Sequence, residues 1–310
     1  MLLSILEYLQ EFNSAFRALT YTTSRMILSL VTSITLSVLI YPPLIRWLRS
    51  IKLEQPIREI GPQNHHEKKG TPTMGGVVII FSTLLSALLW TDLSNRHLWT
   101  LVFVAITYGA IGFMDDYLKI TKKNSDGLSS RKKMLGLIIF GLGTIGIHLG
   151  LESLMVPANA TGVAATEILI PFVKDFSVDI GYFFVPFALL VLVGTSNAVN
   201  LTDGLDGLVI GPVITCSGAL LILSFVTGNV TIAEYLLYFT VHGTSEVTIF
   251  LSALIGSAIG FLWYNTWPAQ VFMGDSGSLP LGGILATVSL ITHHELLLVI
   301  MGGIFVVEAL

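Results

Sequence analysis

The chain has 310 residues, of which 53% are hydrophobic and only 12% are charged, and its formal net charge is −4. An average soluble domain carries about 25% charged residues, so this composition excludes an ordinary soluble domain and indicates an integral membrane protein. The mean hydropathy of +0.79 agrees with that interpretation. The net charge identifies no partner, and no nucleic-acid partner is expected.

Nine apolar segments follow one another along the chain. A membrane-spanning helix needs about 20 apolar residues, with about 17 as a lower limit, so eight of the segments can span a bilayer, the shorter ones by including flanking residues. In chain order they cover residues 26–45, 74–91, 98–114, 134–151, 180–196, 208–227, 247–264, 278–292 and 296–310. The pattern predicts an all-α, polytopic membrane helical bundle that forms one domain over residues 1–310.

The ninth segment is predicted to be an incomplete span. It runs from Glu295 to Leu310, and its sixteen residues fall short of a bilayer crossing. We therefore expect a C-terminally truncated sequence, cut within a helix. Glu308 would lie inside the membrane, where an acidic residue is a functional candidate. The sequence leaves open whether Glu308 is functional or incidental.

The basic residues predict the orientation of the bundle. All sixteen Lys and Arg precede residue 175, and most lie in the loops after the first and third segments. These residues are Arg46, Arg49, Lys52, Arg58, Lys68 and Lys69 in one loop, and Lys119, Lys122, Lys123, Arg131, Lys132 and Lys133 in the other. Cytoplasmic loops carry the Lys/Arg excess, so both loops are predicted to be cytoplasmic. Loops 197–207 and 265–277 then share that side, and residues 154–179 are external.

Three acidic motifs lie in these cytoplasmic loops. They contain Asp115 and Asp116, then Asp203 and Asp206 in an Asn-Leu-Thr-Asp-Gly-Leu-Asp-Gly run, then Asp275 in a Gly-Asp-Ser-Gly-Ser run. A single Asp pair at a helix end is equally well explained as a solvated cap. Three acidic turns on one face favour a Mg²⁺ site, because Mg²⁺ takes carboxylate, phosphate and water oxygens. The motifs therefore predict chemistry on a phosphorylated lipid at the bilayer surface.

Four sequence runs resemble those of phospho-N-acetylmuramoyl-pentapeptide transferases, within the superfamily of polyprenyl-phosphate N-acetylhexosamine-1-phosphate transferases. The runs cover residues 70–76, 115–119, 197–207 and 268–275, and the similarity extends from about residue 20 to the last residue. The resemblance implies transfer of phospho-MurNAc-pentapeptide from UDP-MurNAc-pentapeptide to undecaprenyl phosphate, giving lipid I and UMP with Mg²⁺. It also implies a role in peptidoglycan synthesis, and hence in cell shape and division, at the cytoplasmic face of the bacterial inner membrane.

The resemblance also implies roles for individual residues. Asp275 would ligate Mg²⁺, and Asp115 and Asp116 would serve the lipid phosphate, with Asp115 as the base. The uridine side is expected to be lined by Lys68, Asn200, Asp203, Asp206 and Phe272. The phosphates are expected to be held by Lys119, Lys123 and Lys133, and Asn197 is expected to be a further substrate-binding residue. The family's His-rich loop and tenth span lie beyond Leu310, so weak substrate binding and little transfer are expected of these 310 residues.

Several alternatives stay open at the level of sequence. A related transferase that uses UDP-GlcNAc is distinguished from this one only by the particular residues in the motifs. A transporter for an anionic substrate is less favoured, because its charges should lie near the membrane midplane. A non-catalytic scaffold would not need clustered carboxylates. The sequence does not distinguish direct transfer from a two-step mechanism, and it leaves the oligomeric state open, including a homodimer. Membrane lipid is the remaining expected partner.

Overall fold

Helices form most of the chain in a computed structural model that describes residues 2–50, 71–122, 127–155, 164–173, 176–204 and 206–309. The helices are α1 (Leu2–Leu9), α2 (Arg17–Thr20), α3 (Thr22–Ser50), α4 (Gly76–Trp90), α5 (Arg96–Lys122), α6 (Ser130–Met155), α7 (Phe184–Thr202), α8 (Ile210–Thr227), α9 (Val230–Tyr235), α10 (Thr244–Asn265), α11 (Asp275–Ile291), α12 (Glu295–Met301) and α13 (Gly303–Ala309). Between α6 and α7, strands β1 (Glu167–Leu169) and β2 (Ser177–Asp179) pair antiparallel.

The helices confirm the expected all-α polytopic membrane architecture. Within the described ranges, six helices are long and apolar enough to cross a membrane: α3, α5, α6, α7 with the turn before it, α8 and α10. Helices α4 and α11 are apolar but have only 15 and 17 residues. At a rise of 1.5 Å per residue they are about 23 and 26 Å long, somewhat shorter than the hydrocarbon core.

The ninth apolar segment differs from the expected single partial helix. It forms two helices of seven residues each, and α12 ends at Met301 while α13 begins at Gly303. The glycine pair at 302–303 accounts for the interruption, because glycine loses more backbone freedom in a helix than any other residue.

Helix α11 lies at the centre of the bundle. Every residue from Ser276 to Ile291 is buried, with α5 and α7 packed along the helix and α4 and α8 also in contact. Helix α10 packs in turn against α3, α4 and α8. Small residues line the contact between α10 and α3, where Gly256 and Gly260 face Ser33 and Ser37 at close range. Small residues allow helices to approach closely, and they drive helix packing in membranes.

The two ends of α11 have different surroundings. Its N-terminus, at Asp275, meets Asp116 of α5 and Asn200 of α7. The opposite end leads to His293 and His294, which line a cavity of about 1000 Å³ together with the β1–β2 turn and the segment after α9. The polar motifs predicted from sequence therefore gather at the N-terminal end of α11, away from this cavity.

Membrane sidedness stays a prediction, and single-cysteine labelling tests it. The only cysteine, Cys216, is buried in α8 and can be removed as Cys216→Ala. On that background, Ser129→Cys should resist an impermeant maleimide in intact cells, and Ser177→Cys should react, because both sites are exposed and lie at opposite predicted faces. Reaction of Ser129→Cys from outside would contradict the orientation.

Candidate active site

Three carboxylates meet where the C-terminal part of α5 reaches the N-terminus of α11. Asp115 and Asp116 are buried near the end of α5, and Asp275 is the first residue of α11. One oxygen of each carboxylate lies within 4.8 Å of the others. Carboxylates held this close repel one another unless cations lie between them. The arrangement therefore requires positive charge.

Two lysines supply part of that charge. The Lys119 Nζ lies 2.5 Å from Asp115 Oδ2, 3.3 Å from Asp275 Oδ2 and 4.0 Å from Asp116 Oδ1. The Lys133 Nζ, from the first turn of α6, lies 2.5 Å from Asp275 Oδ2. With all five groups ionised, three negative and two positive charges leave the cluster at −1. The cluster can therefore attract a further cation.

Asn200 of α7 fixes the other oxygen of Asp275. Its Nδ2 donates to Asp275 Oδ1 at 2.9 Å and to Ser278 Oγ at 2.7 Å, and its Oδ1 lies 3.5 Å from Lys133 Nζ. Ser278 was not singled out from the sequence. It stands in the Gly-Asp-Ser-Gly-Ser run, but nothing local indicated that this serine, three residues after Asp275, would reach α7.

Asp203 lies at the C-terminal end of α7, next to the same cluster. Burial, followed by the nearby charges of Asp275 and Asp116, raises the pKa of Asp203 to about 7. The Gly274 backbone N–H donates to this carboxyl group. A carboxyl group that is about half protonated near neutral pH can donate a hydrogen bond as well as accept one. Asp203 can therefore contact either a donor or an acceptor on a ligand.

Hydrogen bonds join the loops before α4, after α7 and before α11 beside the cluster. The segment before α4 pairs with the segment before α11: Gly75 N donates to Phe272 O at 2.8 Å, and Phe272 N donates to Pro72 O at 2.8 Å. Asp206 Oδ2 accepts from Ala269 N at 3.3 Å. Phe272 and Asp206 thus lie in the connected loops that border the carboxylates, as the sequence runs suggested.

Asn197 is a predicted site residue that the structure describes but does not bring into the cluster. The Asn197 side-chain amide donates to Val193 O of its own helix at 2.8 Å, and no contact with the carboxylates joins it. Lys68 and Lys123 lie outside the described residues. The structure thus assembles Asp115, Asp116, Lys119, Lys133, Asn200, Asp203 and Asp275.

The cluster depends on a close approach of α5 to α11 at Gly112. A Cβ atom at this position would lie 2.0 Å from Asp275 O and 2.8 Å from Ser276 N. Gly112 stands one helical turn before Asp116, on the same face of α5. The absence of a side chain therefore lets Asp116 reach the start of α11.

Gly112→Ala should separate the two helices and weaken the site. Overpacking of this kind costs about 1–3 kcal/mol, occasionally more, so we expect a lower thermal midpoint in detergent. Gly146→Ala in α6 is the matched control, because a Cβ there meets nothing within 4 Å and alanine favours helix. A Gly112→Ala protein that melts at or above Gly146→Ala would contradict the packing argument.

Comparison with known families gives two matches. Residues 98–293, more than half of the chain, match the glycosyl transferase family 4. Residues 68–80 match the phospho-N-acetylmuramoyl-pentapeptide-transferase signature 1. The first match spans every carboxylate of the cluster, and the second covers the segment that pairs with the loop before α11. The resemblance drawn from the sequence runs is confirmed.

Proposed function

Because the chain belongs to glycosyl transferase family 4, as a multi-pass membrane transferase of the polyprenyl-phosphate sugar-phosphate type, we propose that it makes lipid I. In this reaction an oxygen of undecaprenyl phosphate bonds to the sugar-bearing phosphorus of UDP-MurNAc-pentapeptide. The bridging P–O bond breaks, and UMP leaves. The signature match at residues 68–80 supports this donor over UDP-GlcNAc. The proposed location is the cytoplasmic face of the bacterial inner membrane.

The donor set of the cluster fits Mg²⁺. Asp115 and Asp275 offer hard carboxylate oxygens, the ligand type that Mg²⁺ takes alongside substrate phosphates, and an Asp116 oxygen lies within 4.8 Å of them. We propose Asp275 as the principal ligand, because its Oδ2 is the oxygen shared by Lys119 and Lys133. When bound, the ion would neutralise charge on the pyrophosphate of the donor.

The protein groups around Asp275 have proposed roles of their own. Asp115 has one oxygen bound to Leu128 N at 2.7 Å and the other against Lys119, so it can take a proton from the acceptor phosphate as base. Lys119 and Lys133 hold phosphate oxygens by charge-assisted contacts. Asp203, Asp206 and Phe272 are proposed to face the uridine, with Asn197, Asn200 and Lys68 as further contacts, and Lys123 as a further phosphate contact.

The observation that carries the proposal is the cluster of three carboxylates, two of them buried and one half-buried, with two lysines at one end of the bundle. A soluble nucleotide and a membrane-bound lipid phosphate can meet only at a bilayer surface. The cluster lies where α5 and α7 end and α11 begins, so it is placed at the end of the spans rather than at their middle. This position favours a transferase over a transporter with a midplane site.

A transfer assay with the full-length gene product tests the proposal. Radiolabelled UDP-MurNAc-pentapeptide should label undecaprenyl phosphate in the presence of Mg²⁺, and UDP-GlcNAc in a parallel reaction should not. Chelation of divalent cations should stop transfer, and added Mg²⁺ should restore it. Labelling from UDP-GlcNAc alone would instead identify the related GlcNAc-1-phosphate transferase. Transfer that is insensitive to chelation would overturn the metal assignment.

A further inference from the structure

The N-terminus of α11 is capped by a side chain from another helix. The residue before the helix is Gly274, which has φ of 74° and no side chain to cap the first turn. The carboxylate of Asp116, from α5, takes that place: its Oδ1 accepts from Asp275 N at 3.2 Å, and its Oδ2 accepts from Ser276 N at 2.9 Å. The first amides of a helix need such acceptors, and the helix dipole favours a negative charge there.

The two adjacent aspartates of α5 are engaged in different ways. Both oxygens of Asp116 accept backbone N–H groups of α11, and its side chain is 2% exposed. Lys119 is 4.0 Å from Asp116, against 2.5 Å from Asp115. Asp115 has a single backbone donor, Leu128 N, and its second oxygen faces the lysine. Both oxygens of Asp116 are therefore occupied by backbone groups, whereas one oxygen of Asp115 faces the lysine of the charged cluster.

The cap acts on the residue that begins α11. Asp275 is held at its backbone N–H by Asp116 and at its side chain by Asn200, Lys119 and Lys133. A residue held at both its backbone and its side chain keeps its carboxylate oxygens in a fixed position. Contact of Oδ2 with a metal ion or a phosphate depends on that position. Gly112, one turn before Asp116, brings the two helices close enough for the cap to form.

We propose that Asp116 is a positioning residue, which caps α11 and thereby orients Asp275, and that Asp115 is the only one of the pair to contact the substrate. This inference rests on the proposed transfer reaction for its kinetic consequences. It changes the role that the sequence resemblance implied for Asp116, from a group that serves the lipid phosphate to one that acts through Asp275.

Transfer rates measured over a range of Mg²⁺ concentrations separate the two roles. Asp116→Asn keeps one acceptor oxygen, so part of the cap survives. We expect it to raise the Mg²⁺ concentration for half-maximal rate about tenfold, and to lower the rate at saturating Mg²⁺ by less than about tenfold. Asp115→Asn should lose about a hundredfold or more at every Mg²⁺ concentration, as expected for removal of a base. Asp92→Asn, on the loop before α5, is the control.

Amide hydrogen exchange at Asp275 and Ser276 tests the cap without reference to activity. In Asp116→Ala both amides should exchange faster than in the unchanged protein, with Asp116→Asn between the two and Asp92→Asn unchanged. Unaltered exchange in Asp116→Ala would overturn the proposal. So would an Asp116→Asn protein as inactive as Asp115→Asn at all Mg²⁺ concentrations. If the full-length gene product transfers nothing, the proposed function fails, while the exchange result still decides the cap.

Discussion

Asp275→Asn is expected to lose about a thousandfold or more of the transfer rate, because the metal and the two lysines lose the charge that they share. Asn has nearly the same shape, so packing at the start of α11 is retained. The substitution removes a carboxylate whose Oδ2 lies 2.5 Å from Lys133 Nζ and 3.3 Å from Lys119 Nζ. Initial rates at saturating substrate and Mg²⁺ measure the effect.

Asp92→Asn is the matched control for this loss. Asp92 lies between α4 and α5, where its side chain accepts from the Ser94 N–H and hydroxyl at 2.9 and 2.8 Å. The control should transfer at nearly the rate of the unchanged protein, and both variants should elute and melt as folded proteins. Near-normal transfer by Asp275→Asn would remove Asp275 from the metal site.

Arg25→Met is expected to cause the largest loss of stability, about 3–5 kcal/mol, because it leaves the Glu246 carboxylate, whose side chain is only 11% exposed, without its cation. The Arg25 guanidinium binds Glu246 of α10 through two hydrogen bonds of 2.8 and 2.7 Å, and the arginine is 5% exposed. It also donates to Trp90 O at 3.2 Å. The pair therefore joins α3, α4 and α10 at the end of the bundle opposite the carboxylate cluster. Thermal unfolding in detergent measures the loss.

The double variant Arg25→Met/Glu246→Met distinguishes the cost of an unpaired carboxylate from the loss of the ion pair itself. Removing both charges should restore much of the stability, since the penalty of the single variant comes from the unpaired carboxylate. Arg96→Met, at an exposed arginine on the same end of the bundle, should change the midpoint little. A double variant no more stable than Arg25→Met would contradict this explanation.

The sequence predicted the long helices well, because the length of an apolar run is visible in consecutive residues. Segments such as 98–114 and 247–264 became α5 and α10, and the helical boundaries extended beyond the apolar runs into polar residues. The interruption at Gly302 and the β1–β2 pair were not predicted. Strands of three residues give too little alternation to be recognised, and a glycine pair in an apolar run does not by itself indicate a break.

The amino-acid sequence was enough to predict the membrane class, the order of the motifs, and most of the residues that meet in the carboxylate cluster. What each of these residues touches depends on how the helices pack. Successive residues of a helix point about 100° apart, so Asp115 and Asp116 face different neighbours, and the packing of α5 on α11 selects which one caps the helix. In the same way Asn200 reaches Asp275, whereas Asn197 bonds its own backbone. Hydrophobicity is a property of consecutive residues, so the sequence shows it directly. These contacts depend instead on the distances between helices, which are set by close packing at residues such as Gly112.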